Sequence, residues 1–147
     1  MNERKTLHNL IETQNFAKEF VKNLAPQEHK ATVLGLYGDL GAGKTSFTQG
    51  LAQALGVSDT VVSPTFVIKK IYTLEGQKFS HLIHIDAYRI EKSDEMLHLG
   101  WQEIIANPQH LIVVEWPELI ADIMPEHIQV KLEHVSEDER EVQISQM

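Results

Sequence analysis

The stretch Gly38-Asp39-Leu40-Gly41-Ala42-Gly43-Lys44-Thr45 satisfies every specified position of the phosphate-loop pattern G-x-x-x-x-G-K-[ST]. Its surroundings decide the fold. Ala31 to Tyr37 is apolar, β-branched and aromatic, as suits a buried parallel strand feeding the loop. Lys44 to Leu55 repeats apolar side chains at three- and four-residue spacing through Phe47, Leu51, Ala54 and Leu55, and Gly56 stands where a glycine cap ends a helix. Strand, loop and helix thus follow in the required order. In that arrangement Gly38, Gly41 and Gly43 let backbone N–H groups converge on phosphate oxygens, aided by the positive end of the helix. Lys44 would reach the β- and γ-phosphates, and the Thr45 hydroxyl would bind magnesium. The pattern predicts a nucleoside triphosphate site. A dinucleotide fingerprint does not fit, because no third glycine follows Gly41 and Gly43 at the required offset.

Hydrolysis needs more than a loop: a carboxylate to hold the metal and a group to orient the attacking water. Asp86 ends Leu82-Ile83-His84-Ile85-Asp86, and Glu115 ends Leu111-Ile112-Val113-Val114-Glu115. Each acid comes where an apolar strand emerges, the edge at which open α/β sheets bind ligands. Lys44, Asp86 and Glu115 are therefore the candidate catalytic residues, with Thr45, Asp86 and Glu115 as candidate metal ligands. Thr65, in Ser63-Pro64-Thr65, is either a switch threonine sensing γ-phosphate or metal, or part of a structural turn. Trp116 shields the site, presents a partner contact, or fills the core. His81 and His84 stand three apart on a predicted strand and so face opposite sides, which argues against a zinc pair. His84 and Asp86 share a face, so the imidazole either supports that acid or is a satisfied core group.

Elsewhere, Thr13 is placed to cap a helix through about Leu24, with Phe16, Phe20 and Leu24 as its apolar stripe. Phe66 to Thr73 and Lys78 to Asp86, around Glu75-Gly76-Gln77, predict an antiparallel hairpin. Ser93-Asp94-Glu95 starts a helical region broken at Gly100, and Pro117 stops the strand ending at Glu115. Ile128 to Leu132 and Glu141 to Ile144 predict a second hairpin. The fold class expected is α/β and P-loop NTPase-like, with a mixed central sheet flanked by helices, as a single domain over residues 1–147.

Thirteen basic against 21 acidic residues give a formal net charge of −8, which disfavours a general grip on nucleic acid. With no cysteine, disulfide scaffolds and thiolate chemistry are excluded. The N-terminal Met1-Asn2-Glu3-Arg4-Lys5 lacks the apolar core of a signal peptide, and no run has membrane-spanning length, so a cytoplasmic location without membrane contact is expected. Absence of an Asn-Lys-x-Asp signature favours ATP over GTP. Arg4, Arg89 and Arg140 are too few for the arginine-rich lid of a small-molecule kinase. A chain so poor in arginine is expected to hydrolyse slowly alone and to need a partner. A compact kinase and a nucleotide-sensing module without turnover remain the alternative readings.

Gly38–Thr45, Ser63-Pro64-Thr65-Phe66, His84-Ile85-Asp86-Ala87-Tyr88-Arg89 and Val114-Glu115-Trp116-Pro117-Glu118 together resemble the bacterial TsaE family, in its order and over most of the chain. The resemblance implies a P-loop ATPase required, with the TsaD–TsaB pair, for making threonylcarbamoyladenosine in tRNA. It implies ATP and Mg2+ as cofactors, with Lys44 on phosphate, Thr45 on magnesium, and Asp86 and Glu115 at the metal and hydrolytic water. The nucleotide-binding set becomes Asp39, Leu40, Gly41, Ala42, Gly43, Lys44, Thr45 and Ser46, joined by Trp116 and by Thr13 near the base. Acidic net charge agrees with binding proteins rather than holding tRNA directly.

Overall fold

The computed structural model describes residues 3–39, 41–58 and 69–146. Within them, β1 (Glu3–Leu7), α1 (Leu10–Lys22), β2 (Thr32–Tyr37), α2 (Lys44–Ala54), β3 (Lys69–Thr73), β4 (His81–Asp86), α3 (Asp94–His98), α4 (Trp101–Ala106), β5 (His110–Glu115), a 3-10 segment (Pro117–Ile123), β6 (Ile128–His134) and β7 (Arg140–Gln146) follow in order. The seven described strands form one sheet in the order β1-β7-β6-β2-β5-β4-β3. Its centre is parallel, since β2 pairs with β5 and β6, and β5 with β4. Both flanks are antiparallel. The mixed sheet and both hairpins match the expectation.

Alternation along the central strands divides the core between the two faces of the sheet. Leu34, Leu36, Leu82 and Val113 join Phe16, Phe20, Phe47 and Leu51 of α1 and α2 on one face. Val33, Ile83, Ile112 and Val114 join Met96, Trp101 and Ile104 of α3 and α4 on the other. A strand buried on both faces needs an apolar side chain at nearly every position, as β5 has.

The helices α1 and α2 approach closely. Phe47 lies against Phe16 and Phe20 at ring-centroid distances of 6.3 and 6.1 Å. A Cβ on Gly50 would stand 2.8 Å from Gln14 Cα and collide with the Gln14 carbonyl oxygen. Alanine for glycine within a helix is ordinarily favourable by roughly 0.5–1 kcal/mol. Here the sign reverses: Gly50→Ala is expected to destabilise by about 1–3 kcal/mol through overpacking, measured by urea unfolding. A variant as stable as the parent would show that the two helices can separate freely.

One expectation is corrected, and one strand was missed. Thr13 does not cap α1. The cap is Asn9, whose side-chain oxygen accepts the Glu12 N–H at 2.9 Å, while Thr13 lies inside the helix. The strand β1 had no counterpart in the sequence reading. It is an edge strand on which only Leu7 is buried. The helix start read at Ser93-Asp94-Glu95 and the break at Gly100 match, since Ser93 is the N-cap position of α3 and Gly100 that of α4; the Ser93 hydroxyl donates to Asp122 at 2.5 Å. The Ser63-Pro64-Thr65-Phe66 stretch, the first part of the predicted strand from Phe66, and Leu40 lie outside the described residues.

Candidate functional site: a phosphate loop facing two strand-end carboxylates

Strand β2 delivers the chain to the loop at Tyr37, and three glycines then take positive φ: Gly38 at 147°, Gly41 at 79° and Gly43 at 104°. A side chain at Gly38 would collide with the Leu132 carbonyl of the neighbouring strand, so both conformation and space require glycine there. Gly43 is the N-cap of α2 and supplies no side-chain acceptor. The N–H groups of the first helical turn therefore have no side-chain cap, the arrangement that binds anions. Lys44 opens the helix. Its Nζ donates to the Gly38 carbonyl at 2.6 Å and sits 3.4 Å from the centre of the Trp116 ring.

The two acids arrive from adjacent parallel strands in register. Asp86 on β4 is paired with Glu115 on β5, and Glu115 is in turn paired with Leu36 on β2. Register partners share a face, so both carboxylates stand on the side of the sheet that carries α2. Asp86 accepts the Tyr88 N–H at 2.9 Å, fixing the turn that leaves β4. Glu115 meets His84 Nε2 at 2.6 Å, with side chains 4% and 0% exposed respectively. The imidazole thus bonds the acid on the neighbouring strand, where sequence spacing suggested support for Asp86.

Trp116 has φ 60° and ψ 47°, the sole positive φ at a non-glycine residue among those described. A bulky residue held there costs on the order of 1–3 kcal/mol. Pro117 follows and disfavours the right-handed helical alternative. The turn places the indole over Lys44 and 5.1 Å from the Tyr88 ring. The indole lines the cavity beside Lys44 and also packs against the core on the α3–α4 face of the sheet.

Burial lowers the proton affinity of Lys44, against the pull of Glu115, Glu118, Asp86 and Asp39, in decreasing order. The unfolded chain therefore binds more protons than the folded one just below the ordinary lysine range, and stability rises with pH through that window. Lys44 is only 5% exposed. Lys44→Met is expected to raise unfolding free energy by about 1 kcal/mol at neutral pH and to flatten the rise, read from urea unfolding between about pH 7 and pH 10. A variant less stable than the parent would show that the ammonium is fully compensated.

A cavity of about 390 Å³ unites these groups, lined by Lys44, Thr45, Ser46, Asp86, Glu115 and Trp116 along one stretch and by Gly41, Gly43, Leu10 and Arg140 along another. A second cavity, of about 570 Å³, lies on the β6 side of the loop against Asp39, Ala42, Glu118 and Lys131. Its volume is greater, but Lys44, Asp86 and Glu115 face the first. Thr13 comes close to the loop, its methyl 3.8 Å from a Cβ position at Gly43, while its hydroxyl donates to the Asn9 carbonyl. Arg140 and Leu10 were not singled out as site residues. The separation of 99 positions between Gly41 and Arg140 leaves no local pattern to read.

The donor set is one of hard oxygens, from a hydroxyl and carboxylates, which suits magnesium rather than zinc. Among the described residues no three His, Cys, Asp or Glu side chains cluster as a self-sufficient metal site. Mg2+ takes one or two carboxylates and completes its sphere with water and phosphate oxygens. Glycine cradle, uncapped helix end, lysine and oxygen donors together fit a magnesium-bound triphosphate.

A parallel-centred sheet with this loop between β2 and α2 defines an α/β protein of the P-loop class. The family model described as threonylcarbamoyl adenosine biosynthesis protein TsaE matches residues 7–142, and the chain belongs to the TsaE family. It is similar to the tRNA threonylcarbamoyladenosine biosynthesis protein TsaE of Rickettsia prowazekii, 37% identical over 137 residues covering 92% of this chain and 89% of that protein. The protein of the same name from Bacillus subtilis is 41% identical over 126 residues, covering 85% and 76%. The crystal structure of Bacillus subtilis YdiB matches with a TM-score of 0.72 at 32% identity, over 98% of this chain and 84% of that one. Among the described residues, no helix is long and apolar enough to cross a membrane.

Proposed function

We propose that the chain binds and hydrolyses Mg-ATP as the ATPase subunit of a cytoplasmic assembly with TsaD and TsaB that makes threonylcarbamoyladenosine in tRNA. The observation that carries this reading is the meeting of Lys44, Asp86 and Glu115 in one cavity of a TsaE-family chain. The loop N–H groups and the Lys44 ammonium hold the phosphates, and Lys44 exchanges the Gly38 carbonyl for a phosphate oxygen. Thr45 and Asp86 hold magnesium, which when bound neutralises charge on the β- and γ-phosphates. Glu115 orients the attacking water. Of the two acids it exerts the stronger pull on Lys44, and His84 holds it in place. The acidic surface suits contact with partner proteins, with tRNA touched weakly or not at all.

Phosphate release from Mg-ATP by the chain alone and with the TsaD–TsaB pair tests the proposal. Marked stimulation supports a site completed by partners. No stimulation in a demonstrated complex overturns completion of the site by partners, and no phosphate release in either arm overturns the ATPase role and favours a nucleotide-sensing module. Transfer of γ-phosphate label to a metabolite would instead favour a small-molecule kinase.

A further inference from the structure

His81 and His110 open β4 and β5, the two strands that end at Asp86 and Glu115. They are partners in the same parallel register, so their side chains share a face of the sheet. His81 stands two residues before Ile83 and His110 two before Ile112, both of which pack with α3 and α4. The imidazoles therefore lie on that face and at the far end of the strands from the phosphate loop, whereas the acids lie on the α2 face. The two half-buried rings have centroids 5.6 Å apart and planes at 86°.

Hydrogen bonds fix which nitrogen of each ring is free. A carbonyl can only accept, so His110 donates from Nδ1 to the Ile104 carbonyl at 2.9 Å. Ser80 Oγ lies 2.9 Å from His81 Nδ1 and donates its own hydrogen to the Gln109 carbonyl at 3.3 Å, which leaves the hydroxyl oxygen to accept from His81 Nδ1. In their neutral forms both rings thus carry the proton on Nδ1 and present Nε2 as a lone pair. Neither Nε2 has a hydrogen-bond partner among the described residues. Histidines that ligate metals are held in this way, with one ring nitrogen on the ion and the other donating its N–H to a group that sets tautomer and orientation. The spacing agrees as well. Two imidazoles sharing one ion at the ordinary metal–nitrogen distance, with an angle of about 110–120° at the metal, hold their centroids roughly 5.2–5.6 Å apart. Ligation leaves the ring planes free to turn about the metal–nitrogen axes, so perpendicular planes are no obstacle.

We infer that His81 and His110 form a binding site for a divalent transition-metal ion of the zinc, nickel and copper group, held by the two Nε2 atoms. Among the described residues no third His, Cys, Asp or Glu side chain joins them, so water completes the sphere. Neutral imidazole suits these ions, while magnesium prefers oxygen. The same pair of strands accordingly offers carboxylates at one end and imidazoles at the other, and sorts hard from borderline cations. Sequence spacing compared His81 with His84 along one strand, but the partner of His81 stands on the next strand.

The test titrates the isotope-labelled parent chain with Zn2+ and follows the imidazole nitrogen resonances at about pH 7.5, where histidine is ordinarily neutral. Before zinc is added, both rings are expected in the Nδ1–H tautomer. Zn2+ should then shift Nε2 of His81 and His110 together, at one ion per chain, with both Nδ1 atoms still protonated, and Mg2+ should move neither. Ser80→Ala removes the acceptor that orients His81 and is expected to weaken zinc binding about tenfold, the lower end for loss of such a partner. His81→Gln should abolish the zinc shift at His110, and His110→Gln that at His81. No shift at either ring, a shift at only one of them, or an equal shift at exposed His98 over the same zinc range overturns the inference. An Nε2–H tautomer in either ring of the metal-free chain overturns it too. The decisive shifts are read on the parent chain, so a variant that fails to fold leaves the test intact.

Discussion

Glu115→Gln is expected to keep Mg-ATP affinity within a few-fold of the parent while lowering single-turnover cleavage by about 10²- to 10⁴-fold, the range for loss of a positioned acid–base group. The amide has nearly the same shape and can still accept a hydrogen bond from His84 Nε2, now 2.6 Å from the carboxylate. What it loses is the negative charge that draws a proton from water. Asp86 stands beside it in register but bonds the Tyr88 N–H, which commits one oxygen to the turn. Asp86→Asn should accordingly weaken magnesium-dependent binding before it affects cleavage of what remains bound. Titrations with and without magnesium, followed by single-turnover cleavage, separate the two roles. If Glu115→Gln abolished magnesium-dependent binding and Asp86→Asn did not, the assignments would be reversed.

The phosphate loop was legible because its determinants are local. Glycines that need positive φ, a lysine at the helix start and apolar periodicity on both sides lie within 25 residues, Ala31 to Leu55. The acids were legible for a related reason: each ends an apolar run, and parallel strands bring such ends to one edge. What escaped depends on neighbours that the chain does not announce. Whether His84 bonds Asp86 or Glu115 is decided by pairing of β4 with β5, across 31 residues. Arg140 reaches the loop only because β7 folds back beside β6. The sequence of β1, Glu-Arg-Lys-Thr-Leu, has no apolar alternation because an edge strand exposed on both faces needs none; only pairing with β7 makes it a strand. Thr13 and Asn9 are both competent caps by residue type; Asn9 takes the position, and Thr13 is buried inside the helix.

His84→Ala is expected to destabilise the protein by about 3–5 kcal/mol, as removal of one member of a buried polar pair does. The reason lies with the partner left behind. Glu115 is almost wholly buried, and without the imidazole its oxygen loses a 2.6 Å bond in a place that water reaches poorly. His84 Nδ1 has no hydrogen-bond partner among the described residues. The tautomer that donates from Nε2 leaves Nδ1 only an unfilled acceptor, which is less costly than a buried N–H without a partner. The damage is therefore conditional on the charge of Glu115. Adding Glu115→Gln to His84→Ala should return about 1–3 kcal/mol of the loss, a coupling of the size seen between residues in direct contact. Urea unfolding of the parent, both single variants and the double variant measures that coupling. Strict additivity would mean that His84 contributes only the volume of its ring. His84→Gln supplies an amide N–H in place of the imidazole donor and should therefore recover part of both stability and turnover, whereas a residue needed only for packing would not distinguish glutamine from a similarly sized methionine. The charge that Glu115→Gln would remove in the proposed cleavage is the same charge that makes His84 necessary, so the stability and turnover effects expected at this strand end trace to one pair of atoms.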